Sequence, residues 1–156
     1  MSYLRALMGT HARAGTLDWI GVRPARRAEM VALDRVAVGP TLAGDHAAPG
    51  KRAVTLIQAE HLPVIAALCG RAVTEGALRR NLVVSGINLA ALKGRAVRIG
   101  GAMLRLTGPC APCSRMEETL GRGGYSAVRH HGGWCAEVLS PGEIALGCAV
   151  APEATP

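Results

Sequence analysis

The chain reads as a mainly β barrel with short helical insertions, an α+β fold, and three observations on its 156 residues predict this. About eight short stretches rich in Val, Ile, Leu and Thr recur at even spacing, with glycine- and proline-bearing turns between them. Two of these stretches meet across Gly100-Gly101, a hairpin signal. A helical period surfaces only in short segments, the clearest from Gln58 to Gly70. There is no internal repeat and no dividing linker, so a single domain over residues 1–156 is expected, with a frayed tail from Ala151.

Taken in order, Tyr3 to Met8 alternates weakly and predicts a strand. Gly9 to Arg27 reads as a polar loop, and Glu29 to Val38 as a second strand ended by Gly39-Pro40. Arg52 to Ile57 is rich in β-formers and predicts a buried strand. In Gln58–Gly70, residues Ala59, Leu62, Ile65, Ala66 and Cys69 share one helical face, and Gly70 suits a C-cap. Thr74 to Leu78 predicts a short helical turn, Leu82 to Val84 a strand, and Gly86-Ile-Asn88 a turn. Gly94–Ile99 and Ala102–Thr107 form the hairpin, Ser114–Leu120 a short helix, and Gly121–Gly133 a flexible loop. Trp134–Leu139 and Glu143–Val150 read as a closing hairpin through Ser140-Pro-Gly142.

Composition narrows the function classes. Hydrophobic residues make up 49% and charged residues 19%, the balance of a folded globular chain. No apolar run reaches the ~20 residues of a membrane span, and the first residues lack a signal-peptide core. A cytoplasmic location with reduced thiols and no membrane contact is expected, in keeping with an odd count of five cysteines. The net charge of +7 asks for an anionic partner. With two Trp, two Tyr and no Phe there are few platforms for stacking bases, so a small anion is expected rather than nucleic acid. The densest basic cluster, Arg23-Pro-Ala-Arg26-Arg27, reads as a solvated loop.

The chemistry is expected at Leu104 to Glu118. A strand there is broken by Gly108-Pro109, and Pro112 suits the start of a helix. Cys113 then falls at a strand-to-helix junction beside free backbone N–H groups and Arg115, a setting that favours a thiolate. The competing reading is an inert buried thiol.

Several stretches together resemble the MOSC domain, the C-terminal domain of molybdenum cofactor sulfurases: Gly44-Asp45, Arg52-Ala-Val-Thr55, Gln58-Ala-Glu60, Leu78-Arg79-Arg80-Asn81 through Gly86-Ile-Asn88, Leu92-Lys-Gly94, Ile99-Gly100 and Pro112-Cys113. The similarity runs from about Arg23 to Val150. The resemblance implies a closed or partly closed MOSC-type β-barrel. It implies that Cys113 is the working residue, carrying sulfur as a persulfide or ligating molybdenum in the molybdenum cofactor (molybdopterin). It also implies that Arg79, Arg80 and Asn81 line the same cleft, with Thr55, Asn88 and Arg115 as further cofactor-binding candidates. An arginine fork suits the cofactor's phosphate, and a soft thiolate suits molybdenum or sulfur. The alternatives for these residues are one exposed arginine and one structural salt bridge for Arg79-Arg80, turn chemistry for Asn81 and Asn88, and a plain strand position for Thr55.

Three departures from the family pattern stand out. Gly147-Cys148 replaces a closing Gly-Asp, and Cys110 adds a Cys-x-x-Cys spacing with Cys113. The stretch carries neither a pyridoxal-phosphate desulfurase domain nor a ferredoxin-like one. No pyridoxal phosphate is expected on it, and a cysteine desulfurase or electron-donor protein is expected in trans. Relatives include enzymes that reduce N-hydroxylated bases, so a molybdenum-dependent oxidoreductase and a sulfurtransferase or sulfur carrier both remain open. A second class of reading is a structural zinc-binding or thiol-redox module using Cys110 and Cys113, although a second pair of zinc ligands is not evident.

Overall fold

The computed structural model describes residues 2–154. The elements in chain order are α1 (Tyr3–Met8), β1 (Gly15–Val22), β2 (Val31–Leu33), β3 (Arg35–Val38), β4 (Val54–Gln58), α2 (His61–Cys69), β5 (Leu82–Ser85), a 3₁₀ turn (Leu89–Leu92), β6 (Ala96–Ile99), β7 (Ala102–Pro109), α3 (Ser114–Leu120), α4 (Gly124–Val128), β8 (Trp134–Ser140), β9 (Gly142–Ala145) and β10 (Ala149–Pro152).

Strands pair in the order β10-β6-β7-β8-β4-β5-β1, and β1 returns to β10 through Gly15↔Val150 and Thr16↔Ala149. This closes a seven-stranded barrel and removes its free edges. The pairings are antiparallel except β4 with β5, which α2 connects as a parallel crossover. Strand β2 extends from β1 outside the closed ring, and β3 with β9 forms a separate two-stranded ribbon.

All five residues of β4 are buried because both faces of the strand are covered. Leu56 joins Leu17, Leu82, Val84, Leu104 and Leu106 in the barrel interior. Ile57 and Val83 face the other way, against Leu62 and Ile65 of α2 and Met116 and Leu120 of α3. Burying an apolar side chain of this size contributes about 1.5–3 kcal/mol. Met116 and Leu120 therefore fix α3 on the outer wall, and with it the position of Cys113.

Several local expectations are corrected. Tyr3–Met8 is a helix, with Ser2 accepting from the Arg5 N–H at 3.2 Å; none of its residues is buried, so strong helix formers meet no packing that would impose a strand. The polar loop 9–27 contains the central strand β1. Its glycines suggest a turn, but they serve close approach: a Cβ at Gly15 would stand 2.4 Å from Ile87, and one at Gly21 2.1 Å from the Trp19 ring. A bulge between Leu17 and Trp19 also shifts the alternation. Residues 29–38 split into β2 and β3, which join different sheets. Thr74–Leu78 is a non-helical turn, and Gly121–Gly133 contains α4.

The closing hairpin does not form. β8 pairs with β7 and β4, β9 pairs with β3, and β10 with β6 and β1. The tail is ordered further than expected, to Pro152, and Glu153 pairs with Arg98 at 3.2 Å. Among the described residues no helix is long and apolar enough to cross a membrane.

Candidate functional site

Cys113 is the N-cap residue of α3, in extended backbone conformation, and it is exposed. It stands at a cleft of about 170 Å³ lined by Arg23, Arg79, Arg80 and Arg115 together with Ala77, Leu78 and Met116. Four arginines thus share one small cleft with one free thiol. The barrel joins the Arg79-Arg80 segment, just before β5, to the start of α3, although they are far apart in sequence.

The four arginines are held differently. Arg79 has a left-handed backbone, φ 61°, unusual for a side chain-bearing residue, and its guanidinium donates to the Ala28 carbonyl. Burial and the neighbouring charges of Arg115 and Arg23 lower its proton affinity, and Asp45 only partly offsets this. The cleft is therefore electropositive. Arg80 is 9% exposed and donates from Nε to the Gly132 carbonyl at 2.6 Å. Its Nη2 is buried without a hydrogen-bond partner. A buried charged donor left unpaired is costly.

Arg23 belongs to a buried polar network. Asp45 accepts from the Arg23 backbone N–H at 2.7 Å, from its Nε at 3.2 Å and from its Nη2 at 3.0 Å. It also accepts from the Ala47 N–H at 3.0 Å and from Asn81 Nδ2 at 3.2 Å. Burial pushes the Asp45 carboxyl up, but the hydrogen bonds from Arg23 and Ala47 and the Arg23 charge outweigh it and hold the group below its usual 3.8. Asn81, fully buried, accepts at Oδ1 from the Thr55 N–H and hydroxyl at 3.0 and 3.1 Å, and donates from Nδ2 to the Gly21 carbonyl at 3.0 Å. Thr55 and Asn81 are thus the buried support of the cleft and not its lining. The Gly-Asp, Ala-Val-Thr and Arg-Arg-Asn stretches meet in one network that ends on Arg23. The reading of Arg23 as part of a solvated loop is corrected: its side chain is 15% exposed and ion-paired.

The profile of the MOSC domain matches residues 35–151. The chain belongs to the MOSC domain family. Its fold is similar to that of the YuaD protein from Bacillus subtilis (TM-score 0.77, 16% identity, 90% of this chain and 97% of that one). It is also similar to YiiM from Escherichia coli (TM-score 0.74, 18% identity, 92% and 71%). YiiM from Geobacillus stearothermophilus matches likewise (TM-score 0.74, 20% identity, 90% and 75%). Among curated proteins none is similar in sequence.

Other candidates of this MOSC domain lie elsewhere. Asn88 caps the 3₁₀ turn by accepting from the Ala90 N–H at 3.2 Å, and it lines a separate hollow with Arg13, Glu60 and His61. Gln58 and Glu60 hold that turn: Gln58 donates to Glu60 at 2.7 Å and to the Ile87 carbonyl at 2.8 Å, and Glu60 accepts from the Gly86 N–H at 2.9 Å. Cys110 does not partner Cys113. Its sulfur lies 3.2 Å from that of Cys135, a residue the Cys-x-x-Cys spacing gave no reason to consider. Cys148 is half-buried against the barrel core. Among the described residues no three His, Cys, Asp or Glu side chains gather as a metal site, so the zinc reading has no second pair of ligands to draw on. Beyond the Pro109–Pro112 segment a larger cavity of about 340 Å³ opens, lined by Cys110, His61, His130, Gly132 and Trp134 among others.

Proposed function

We propose that this MOSC domain binds the phosphate-bearing molybdenum–pterin cofactor at the arginine cleft, with the Cys113 thiolate as the protein's soft ligand. The observation that carries this reading is Arg80: a buried guanidinium with one unpartnered N–H₂ group, in a cleft shared with Arg23, Arg79, Arg115 and an exposed thiol. These donors fit the group. A guanidinium cluster suits phosphate, and a thiolate suits molybdenum or sulfur where an oxygen ligand would not. At about 170 Å³ the cleft falls below the ~300 Å³ of ordinary small-molecule pockets, so it matches the anionic part of a ligand rather than the whole of it.

When bound, the cofactor would supply two-electron redox chemistry or a site for sulfur. The chain's own residues have simpler tasks. Arg80 and Arg115 hold negative charge, and Arg79 adds to the positive field. Asp45, Asn81 and Thr55 fix Arg23 so that it need not reorganise. Cys113 presents its sulfur at an exposed helix start.

That exposure also favours the second reading, a sulfur carrier. A donor protein's persulfide would pass its outer sulfur to Cys113: a new S–S bond forms there, the donor's S–S bond breaks, and the donor leaves as a thiolate. A cysteine desulfurase or an electron donor would act in trans, and reduction of N-hydroxylated compounds is the enzymatic form of the proposal. Elemental and intact-mass analysis of protein purified from a host that makes the cofactor tests it. Molybdenum with phosphorus, or one added sulfur on Cys113, is the expected result, lost in Cys113→Ser. A protein carrying neither, or carrying both undiminished in Cys113→Ser, contradicts it.

A further inference from the structure

We propose that Cys110 and Cys135 form a second sulfur site in this domain, a dithiol that closes reversibly to a disulfide and is chemically separate from Cys113.

The placement comes from the sheet. Strand β7 runs beside β8 with Gly108 opposite Cys135 and Pro109 opposite Trp134. A bulge between Leu106 and Gly108 shifts the register there. The chain then continues one residue past the strand, and the Cys110 N–H donates to the Gly133 carbonyl at 2.8 Å. Cys110 is thus tied to the end of the neighbouring strand, and its sulfur reaches that of Cys135 at 3.2 Å. Cys110 lies two residues beyond the position opposite Cys135, on the same face of the ladder, so the two side chains meet diagonally, and it is the 3.2 Å between their sulfurs that brings a disulfide within reach. Gly133 is part of this tie: its φ is +95°, and a Cβ there would stand 2.1 Å from the Leu56 carbonyl oxygen.

The electrostatics of the pair are asymmetric. Hydrogen bonding to Cys135, reinforced by burial, keeps the proton on Cys110. The same hydrogen bond, helped by the charges of Arg52, Arg80 and Arg23, lowers the proton affinity of Cys135 against the opposing effect of burial. The first proton of the pair is therefore lost more readily than that of a lone buried thiol, and the two sulfurs stand in contact as an attacking thiol and its resolving partner must. Access is from the cavity of about 340 Å³, whose wall includes Cys110. Cys113 belongs to the arginine cleft instead.

The oxidant class is a hydroperoxide, and hydrogen peroxide is the probe. The thiolate of the pair attacks one peroxide oxygen; the S–O bond forms, the O–O bond breaks, and the departing hydroxide takes a proton to become water. The second sulfur gives up its thiol proton and displaces the hydroxyl from the first. The S–S bond forms, the S–O bond breaks, and that hydroxyl leaves with the proton as a second water. Two electrons pass from the sulfurs to the peroxide. A small dithiol returns them, ending as its own disulfide.

The test treats the reduced full-length chain with hydrogen peroxide, blocks the remaining thiols with iodoacetamide, and maps the bridge by mass spectrometry. Trypsin leaves Cys110 and Cys113 in one peptide and Cys135 and Cys148 in another, so fragment ions must place the link. Expected is the loss of two of the five thiols, a Cys110–Cys135 bridge, reversal by dithiothreitol, the same bridge in Cys113→Ser, and none in Cys135→Ser. A bridge through Cys113, links only between molecules, or five thiols all still open to iodoacetamide overturns the proposal. The mapping in the unmodified chain decides even if Cys135→Ser does not fold. The readout is the thiols alone, so it stands or falls independently of cofactor binding.

Discussion

Asp45→Asn keeps the shape of the side chain and removes the charge on which the cleft's support converges. The carboxylate has no exposed surface and Arg23 has 15%, so the pair is nearly buried. Removing one partner from a buried pair costs about 3–5 kcal/mol, because the other charge stays behind without compensation. The residual exposure of Arg23 puts the expected loss at the lower end, about 3 kcal/mol. With a urea slope near 2 kcal/mol/M, the unfolding midpoint should fall by about 1.5 M. Urea titration at neutral pH, followed by the fluorescence of half-buried Trp19 and Trp134, measures it. The pH dependence gives a second check. The folded-state value of Asp45 lies below its ordinary 3.8, so its stabilisation is fully present above that value. It is lost as pH falls through 3.8 and then through the lower folded-state value, and Asp45→Asn should lack this component. A midpoint shift under about 0.3 M at neutral pH would refute the claim that this network supports the site.

Three further outcomes are expected. Arg80→Met should weaken binding of a phosphate-bearing ligand by about ten- to a hundred-fold, the effect of losing one charge-assisted hydrogen bond of about 1.5–3 kcal/mol; calorimetric titration measures it. Gly133→Ala should lower the melting temperature in a calorimetric scan by at least about 3 °C, given its positive φ and the overlap of a Cβ with Leu56. A bulky maleimide should label exposed Cys113 ahead of half-buried Cys110 and buried Cys135, read by peptide mapping after short exposures.

What was legible in the sequence was local. β4, α2 with its Gly70 cap, β5, the β6–β7 hairpin and α3 each carry their period and punctuation within a few residues. The cap is in place, with Gly70 at φ 75°. What was hidden depends on partners distant in the chain. β1 is masked by glycines whose reason is the nearness of Ile87 and Trp19, neither visible from the loop-like composition. β9 looks like the return arm of a hairpin with β8, yet it pairs with β3, and the Arg35–Glu143 contact spans 108 residues. α4 is short, and its first-turn N–H groups are satisfied by Glu117 from α3, which accepts from Gly123 and Tyr125 at 2.9 and 3.0 Å.

The site divides along the same line. Cys113, Arg79 and Arg80 stand in contiguous motifs and could be named from them. Arg23 and Cys135 could not, because each acquires its role from an element far along the chain: Asp45 for the first and Cys110 for the second. The pairing of Gly-Asp with an upstream arginine was the available signal for Arg23. Thr55 and Asn81 carry family motifs yet lie beneath the cleft, so motif membership marks support as readily as contact.

The central claim is that four arginines and the Cys113 thiol form one anion-binding cleft. The most direct measurement is a calorimetric titration of the isolated molybdenum–pterin cofactor into the parent chain, Arg80→Met and Cys113→Ser at two salt concentrations. The account predicts one site, weakened in both variants, with a modest salt dependence from a few phosphate contacts. Equal affinity in all three proteins, or no binding to the parent, would contradict it.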